Sequence, residues 1–414
     1  MSTITLLLQL MVILVAARAC GWLLRWLGQP QVVGEMAAGL LLGPAVFGFY
    51  APTWSAQLFS KELLGGLNAL STLGLVLFMF VVGLEIRAPG GVRKQLRAAG
   101  SVGVLSVAVP AGLALAVAPA LHPALAPAGI GFLPFALFIA AAVSITAFPV
   151  MARILKDRGM TQTAFGQLSL AGAAVVDVFA WVMLAVVVAL AGAGEGSRGL
   201  VKIIAGTAIL LVLLFGVARP LFSRLLAAHA PDGTPSLAVL AALMLGLIAS
   251  ACATEWLHLH AVFGAFLFGA CLPRDDRLLQ ALTQRIEPMS IVILMPLFFA
   301  LAGLSTTRAA FAGGAMGAMA LVIAVATLGK LIGGAIGARM AGMDAPDSFA
   351  TGALMNARGL MELIVMKVGL DTGLIGPEMF TILLVMALAT TAMTSPLISV
   401  ALRLRKARPI AAAA

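Results

Sequence analysis

The sequence predicts an all-α polytopic membrane protein of about 13 transmembrane helices, in six-one-six inverted repeats with two discontinuous crossing helices. Three observations carry this. The chain is 62% hydrophobic and only 10% charged, with a mean hydropathy of +1.10, whereas a soluble domain is about 25% charged. Apolar runs of about 20 residues, the length that crosses a bilayer as a helix, recur from end to end. Two of these runs are interrupted at corresponding places, one in each half.

The elements follow in order. Residues 4–26 exceed the apolar core of a signal peptide and lack a basic start, so they read as a retained helix. The next spans are 31–50, which opens with Glu35 in LGQPQVVGEMAAGLLLGP, and 68–87, which closes with Glu85 in FMFVVGLEIRAP. Both acids read as interfacial structural residues, with gating as the alternative, and Glu35 suits the positive end of its helix. After 98–119 comes the first interrupted helix, 132–155, with Ser144, Thr146 and Pro149 at mid-depth. Proline lacks an N–H and clashes with the preceding turn, which frees carbonyls near Ile145 and Thr146. Such carbonyls can hold a cation where they line a cavity.

Span 164–192 carries Asp177 near its middle, with no other charge between Arg158 and Glu195. An acid at the bilayer centre costs roughly 2.5–3.5 kcal/mol and so marks a functional position. Asp177 can take a proton or a dehydrated monovalent cation, but not both. Span 200–218 serves as the linker between the repeats. Spans 235–254 and 256–272 are divided at Glu255–His258, the weakest cut; without it the count is 12 and both termini share a side. After 288–307, span 313–341 places Lys330 near its middle, where Asp177 is the obvious partner. Span 347–370 is the second interrupted helix, with Asn356, Arg358 and Gly359 at mid-depth, and Arg358 and Glu362 spaced to pair. Span 375–402 ends the bundle. Glycines such as those in GGAIGARMAG suit close helix packing.

Basic residues orient the bundle. With 13 spans and a cytoplasmic C-terminus, the inner loops hold 18 of the 26 Lys and Arg residues, the outer loops Lys61, Arg198, Lys202 and Arg308, and the spans Arg18, Lys330, Arg358 and Lys367. This positive-inside asymmetry places the N-terminus outside and the C-terminus inside. The net charge of +10 then reflects topology and anionic membrane lipid. Dispersed over short loops, it argues against a nucleic-acid partner. Cys20, Cys252 and Cys271 lack CxxC spacing and read as small buried hydrophobes. His122, His229, His258 and His260 form no metal-ligand set, and His258 and His260 suit an interface. No nucleophile–base constellation appears, so neither an enzyme nor a cofactor is expected.

Eight segments in order resemble the monovalent cation:proton antiporter family two of the sodium/hydrogen exchanger superfamily. They are QPQVVGEMAAGLLLGP, LGLVLFMFVVGLEI, AAVSITAFPVMARIL, AGAAVVDVFAW, HAVFGAFLFGACLP, PLFFALAGLST, GKLIGGAIGARMAG and GALMNARGLMELIVMKVGL. The resemblance implies a homodimer in an inner membrane of bacterial type, in which a core domain moves like an elevator against a dimerisation domain. The core would hold roughly 68–192 and 313–402, the dimerisation scaffold roughly 4–50 and 235–307, and the linker 200–218. Within the transmembrane domain of 1–402, Asp177 would be the ion-binding carboxylate, assisted by Ser144, Thr146 and neighbouring backbone, with Lys330 as the basic core residue. Pro149, Asn356, Arg358 and Glu362 would shape the crossover. With a short cytoplasmic tail at 403–414, no regulatory domain is expected. One departure stands out: many members have two adjacent acids, or Asn or Gln before Asp, where this chain has Val176-Asp177. Val176 favours electroneutral exchange of Na⁺ or K⁺ for H⁺ through one carboxylate. It leaves open a proton-coupled carrier of another solute, such as an ionophore or metabolite. A membrane-embedded enzyme or binding protein on the same scaffold is the further alternative.

Overall fold

The computed structural model describes residues 3–60, 63–85, 93–191, 197–230, 234–257, 261–273 and 275–406. Lys61, Arg87, His258, His260, Arg274 and Arg408 lie outside these, as do the side chains of Glu85 and Pro149, whose main chain is helical. Every regular element among the described residues is helical.

The expected spans fall on helices. In the first half these are α1 (Thr3–Trp26), α2 (Gln31–Leu42) with α3 (Phe47–Tyr50), the short α4 (Pro52–Phe59), α5 (Leu64–Glu85), α6 (Arg93–Leu125), α7 (Phe132–Ser144), α8 (Phe148–Asp157) and α9 (Ala164–Ala191). There follow α10 (Ser197–Val212), α11 (Arg219–His229), α12 (Leu237–Trp256) and α13 (Ala261–Cys271). The second half completes with α14 (Asp276–Met289), α15 (Met295–Leu304), α16 (Gly314–Met340), α17 (Ala345–Met355), α18 (Leu360–Asp371) and α19 (Pro377–Lys406). Single π-helical stretches, Leu213–Ala218 and Ser290–Leu294, join α10 to α11 and α14 to α15.

Nine stretches among the described residues are long and apolar enough to cross a membrane. The expected spans 132–155, 164–192, 256–272 and 347–370 are not among them. The 13 residues of α7 rise about 20 Å, short of a hydrocarbon core of about 30 Å. The 11 residues of α13 fall further short. The helix α9 has 28 residues, with its side chains described mainly over its first half.

The chain folds as two compact units. The first comprises Met1–Val15, Thr53–Ala88 and Val188–Leu301. Within it, a Cβ on Gly83 of α5 would lie 2.3 Å from the Phe266 carbonyl of α13, and one on Gly269 equally close to the Phe80 carbonyl. The absence of two side chains lets these backbones touch. Apolar side chains such as Leu245 and Ile248 of α12 point outward, where lipid would meet them.

The second unit comprises Ala16–Pro52, Pro89–Val187 and Ala302–Ala414. Its spine is α6 against α16. Gly329, Gly333 and Gly337 recur every fourth residue of α16, and a Cβ on each would come within 2.6 Å of backbone atoms of Pro110, Leu105 and Val102. The neighbouring Gly334 meets Gly352 of α17, so α16 is held close on two sides.

Close backbone contacts accompany the placement of α5 and α2 in this division. Helix α5 groups with the 188–301 block because of the Gly83–Gly269 approach. Helix α2 groups with the broken helices, where Gly39 meets Gly303 and Gln31 meets Arg153. The cysteines differ from expectation: Cys271 is buried, but Cys20 is half-buried and Cys252 exposed, a position a small apolar side chain tolerates against lipid.

Candidate functional site

In the second unit α7 stops at Ser144 and α8 resumes at Phe148, while α17 stops at Met355 and α18 resumes at Leu360. The two unwound linkers meet. Ala147 donates its N–H to the Ala357 carbonyl at 3.0 Å, and Thr146 donates its hydroxyl to the Met355 carbonyl at 2.9 Å. Gly359 allows the closeness, since a Cβ there would meet Val150 at 2.6 Å. Its backbone is extended (φ 171°), so space and not conformation demands glycine.

A helix end leaves its last four carbonyls without partners. At the end of α7 two buried cations take four successive carbonyls. Arg358 donates to the carbonyls of Ala142 (3.2 Å), Val143 (2.5 Å) and Ile145 (3.3 Å). Lys330 donates to the Ser144 carbonyl and, at 2.6 Å, to the Thr146 hydroxyl. Both side chains are fully buried. The negative end of the half-helix dipole adds to the attraction. Arg358 also donates to Glu362 at 3.0 Å. Glu362 lies in the first turn of α18, where the positive end of that half-helix favours a carboxylate.

Asp177 on α9 is 1% exposed, and its Oδ1 has no hydrogen-bond partner. The main-chain amide of Phe148, at the start of α8, and the charge of Lys330 both bear on its carboxylate. The expected Lys330–Asp177 pair is not formed: no ion pair within 4 Å joins them, because the Lys330 amine is committed to Ser144 and Thr146. Val176 is buried beside Asp177 and supplies no polar group. Of the carbonyls near Ile145 and Thr146 read from the sequence as available to a cation, that of Ile145 is occupied by Arg358, and the neighbouring Ser144 carbonyl by Lys330. The Ser144 hydroxyl turns back to the Ala140 carbonyl at 2.5 Å and to Val107 of α6 at 3.2 Å.

The crossover thus buries two cations and two acids. Fully ionised, Lys330, Arg358, Asp177 and Glu362 cancel, and one added positive charge at Asp177 unbalances the set by one. The chain matches the transmembrane sodium/hydrogen exchanger family over residues 12–403, across both broken helices and every residue of this cluster. The chain belongs to that family.

Relatives of this family member include the Na⁺/H⁺ antiporter NhaS4 of Synechocystis, 38% identical over 96% of this chain and 98% of that protein. Cation/H⁺ antiporter 17 of Arabidopsis thaliana is 36% identical over 95% of this chain and 48% of its own length. The K⁺/H⁺ antiporter 1 of Saccharomyces cerevisiae is 33% identical over 89% of this chain and 43% of its own length. The chain therefore spans nearly all of the first relative and about half of the other two. The sodium proton antiporter MjNhaP1 of Methanocaldococcus jannaschii shares the fold, with a TM-score of 0.68 at 14% identity over 97% of this chain and 99% of that one. These relatives are transporters, not enzymes.

Other predicted residues fall around the crossover. Asn356 is buried and donates to the Thr390 carbonyl at 3.1 Å. Glu35 is buried and accepts from Gln31 at 2.9 Å. It sits one turn into α2, so Gln31 and not a free helix N–H serves it. Sequence reasoning placed α19 but missed the role of its hydroxyls. Thr391 accepts from the Arg358 N–H at 2.9 Å and lies 3.0 Å from the Arg358 carbonyl, bracing the second linker from both sides. The clue was the run ATTAMTS, four hydroxyls within seven residues of a largely apolar helix. Hydroxyls in membrane helices commonly bond back to their own turn, which is why it went unread.

Proposed function

We propose that this protein is a secondary antiporter exchanging Na⁺ or K⁺ for H⁺, with Asp177 as a single carboxylate binding proton and cation in alternation. The observation that carries the reading is the unpartnered Oδ1 of a fully buried acid beside the charged crossover. A buried polar atom without a partner is costly, and a transported ion or proton relieves that cost. Either occupant adds one positive charge to the same balanced set of four, so a one-for-one exchange leaves the core equally charged in both loaded states. This supports electroneutral stoichiometry. Lys330 holds the α7 terminus and the Thr146 hydroxyl together, and a cation drawing on Thr146 would compete with it. The Na⁺/H⁺ and K⁺/H⁺ activities named for the relatives support the substrate class.

The second unit, with both broken helices, is the part we assign to carry the ion as an elevator against the first, in a homodimer with two inverted repeats. The protein would reside in an inner membrane, N-terminus outside and C-terminus cytoplasmic. The test is paired proton and cation flux in proteoliposomes with and without an imposed potential. Asp177→Asn abolishes exchange while the protein stays folded; full activity in that variant refutes the reading. Potential-dependent exchange refutes electroneutrality. No exchange of Li⁺, Na⁺, K⁺ or Rb⁺ at any pH would favour a proton-coupled carrier of another solute, to which buried Val176 also points.

A further inference from the structure

A polar cavity of about 550 Å³ lies in the second unit, at the far end of α8 from Phe148. Arg25 from the end of α1, Arg153 from α8 and Arg158 just beyond it line the cavity, with Gln29, Gln31 and Ser395. Volumes of roughly 300–1,000 Å³ are usual for small-molecule sites.

Among the described side chains, which do not include that of Asp157, no carboxylate lies within 4 Å of Arg25, Arg153 or Arg158. Arg25 and Arg153 both donate to Gln31 Oε1, at 3.3 and 3.1 Å, which turns two guanidinium groups towards one point. Arg158 donates to the Ser399 hydroxyl at 3.0 Å. Glu35 is the nearby acid that offsets Arg153, and Gln31 stands between them. Three guanidinium groups converging on a cavity repel one another until an anion joins them, and their planar forks suit tetrahedral oxyanions.

One acceptor breaks the pattern. Gln29 spends its amide donor on the Ala392 carbonyl at 3.1 Å, leaving a buried Oε1 without a partner. A ligand for this cavity therefore needs anionic oxygens for the arginines, and an O–H on it would serve Gln29 Oε1 once that side chain turns to the cavity. Hydrogen phosphate carries both on one group, and a phosphate monoester does so in its monoanionic form. An anionic glycerophospholipid carries the oxygens on its phosphate and the O–H on its headgroup.

We propose that this cavity is a binding site for a phosphate group bearing an adjacent O–H. The bound group would tie the α1–α2 turn to α8 and α19. Because α8 begins at Phe148, whose amide bears on Asp177, occupancy would brace one wall of the ion site. The proposal concerns binding and holds whether or not the protein exchanges cations.

The test uses the full-length protein, delipidated in neutral detergent. Titration calorimetry measures inorganic phosphate against sulfate at mildly alkaline pH, where both are dianions but only phosphate has an O–H. Native mass spectrometry measures retention of phosphatidylglycerol against phosphatidylcholine. Arg25→Gln and Arg158→Gln are each expected to weaken binding about 10- to 100-fold, the worth of a charge-assisted hydrogen bond. Arg403→Gln, outside the cavity, leaves it unchanged. Arg158→Lys, which keeps the charge but not the fork, falls between and guards against misfolding of the glutamine variants. Phosphate binding without phosphatidylglycerol retention identifies a soluble ligand, and the reverse a lipid headgroup. The proposal is overturned if neither binds, or if both glutamine variants bind as the unaltered protein does. Sulfate binding as tightly as phosphate overturns the role given to Gln29.

Discussion

Replacing Arg358 by methionine removes the cation at the crossover but keeps much of its length. The magnitude divides into two parts. Carbonyls of Ala142, Val143 and Ile145 lose their donor, at about 1 kcal/mol each or about 3 kcal/mol together. Glu362, fully buried, loses its partner, and breaking a buried ion pair from one side costs about 3–5 kcal/mol. The single substitution should therefore cost about 6–8 kcal/mol, comparable to the whole stability of many proteins. Arg358→Met combined with Glu362→Met removes the stranded charge and retains only the carbonyl cost, about 3 kcal/mol. The double variant should thus be more stable than the single one by about 3–5 kcal/mol. Arg358→Lys, whose single amine cannot serve three carbonyls and a carboxylate, should fall between the unaltered protein and the single methionine variant. Unfolding in mixed micelles of rising denaturing detergent, followed by tryptophan fluorescence, measures the ranking. A double variant no more stable than the single one refutes the view that Arg358 offsets the Glu362 charge. A single variant within about 1 kcal/mol of the unaltered protein refutes the capping of α7 as well.

Further outcomes follow from the same geometry. Cation and proton compete for one carboxylate, so the half-saturating cation concentration in flux assays should rise about tenfold per unit fall in pH once protons dominate; a flat profile would separate the two sites. Thr146→Val removes the hydroxyl shared by Lys330 and Met355 and should cost about 1–3 kcal/mol in the same unfolding assay, with no loss counting against the shared contact. Gly333→Ala places a Cβ 2.3 Å from the Leu105 carbonyl and should destabilise by about 1–3 kcal/mol. Gly317→Ala on the same helix meets open space and should stabilise by about 0.5–1 kcal/mol. Equal effects at both glycines would show that helix propensity, and not contact with α6, governs α16.

Much of the fold could be read because the bilayer constrains it so strongly. A membrane-crossing segment must satisfy its backbone internally, so apolar runs of helical length announce themselves, and so do the breaks in 132–155 and 347–370. Asp177, Lys330, Arg358 and Glu362 stood out because charge is costly in that setting. Partnership was less legible. The Arg358–Glu362 pair follows from a four-residue spacing on one helix, and it forms. Lys330 and Asp177 lie on different helices, and sequence alone matched them as opposite charges.

By itself the sequence determined the membrane class, the two interruptions and the identities of the buried charges. All of these are local properties of segments that must enter hydrocarbon. Only the tertiary structure decided what those charges bind. Breaking α7 frees a run of carbonyls on buried residues, Ala142 to Ile145. The cations that reach them, Lys330 from α16 and Arg358 from the second linker, arrive from distant parts of the chain. Because Lys330 is spent there, Asp177 keeps an oxygen without a partner. That consequence of three-dimensional packing leaves the acid available to an ion.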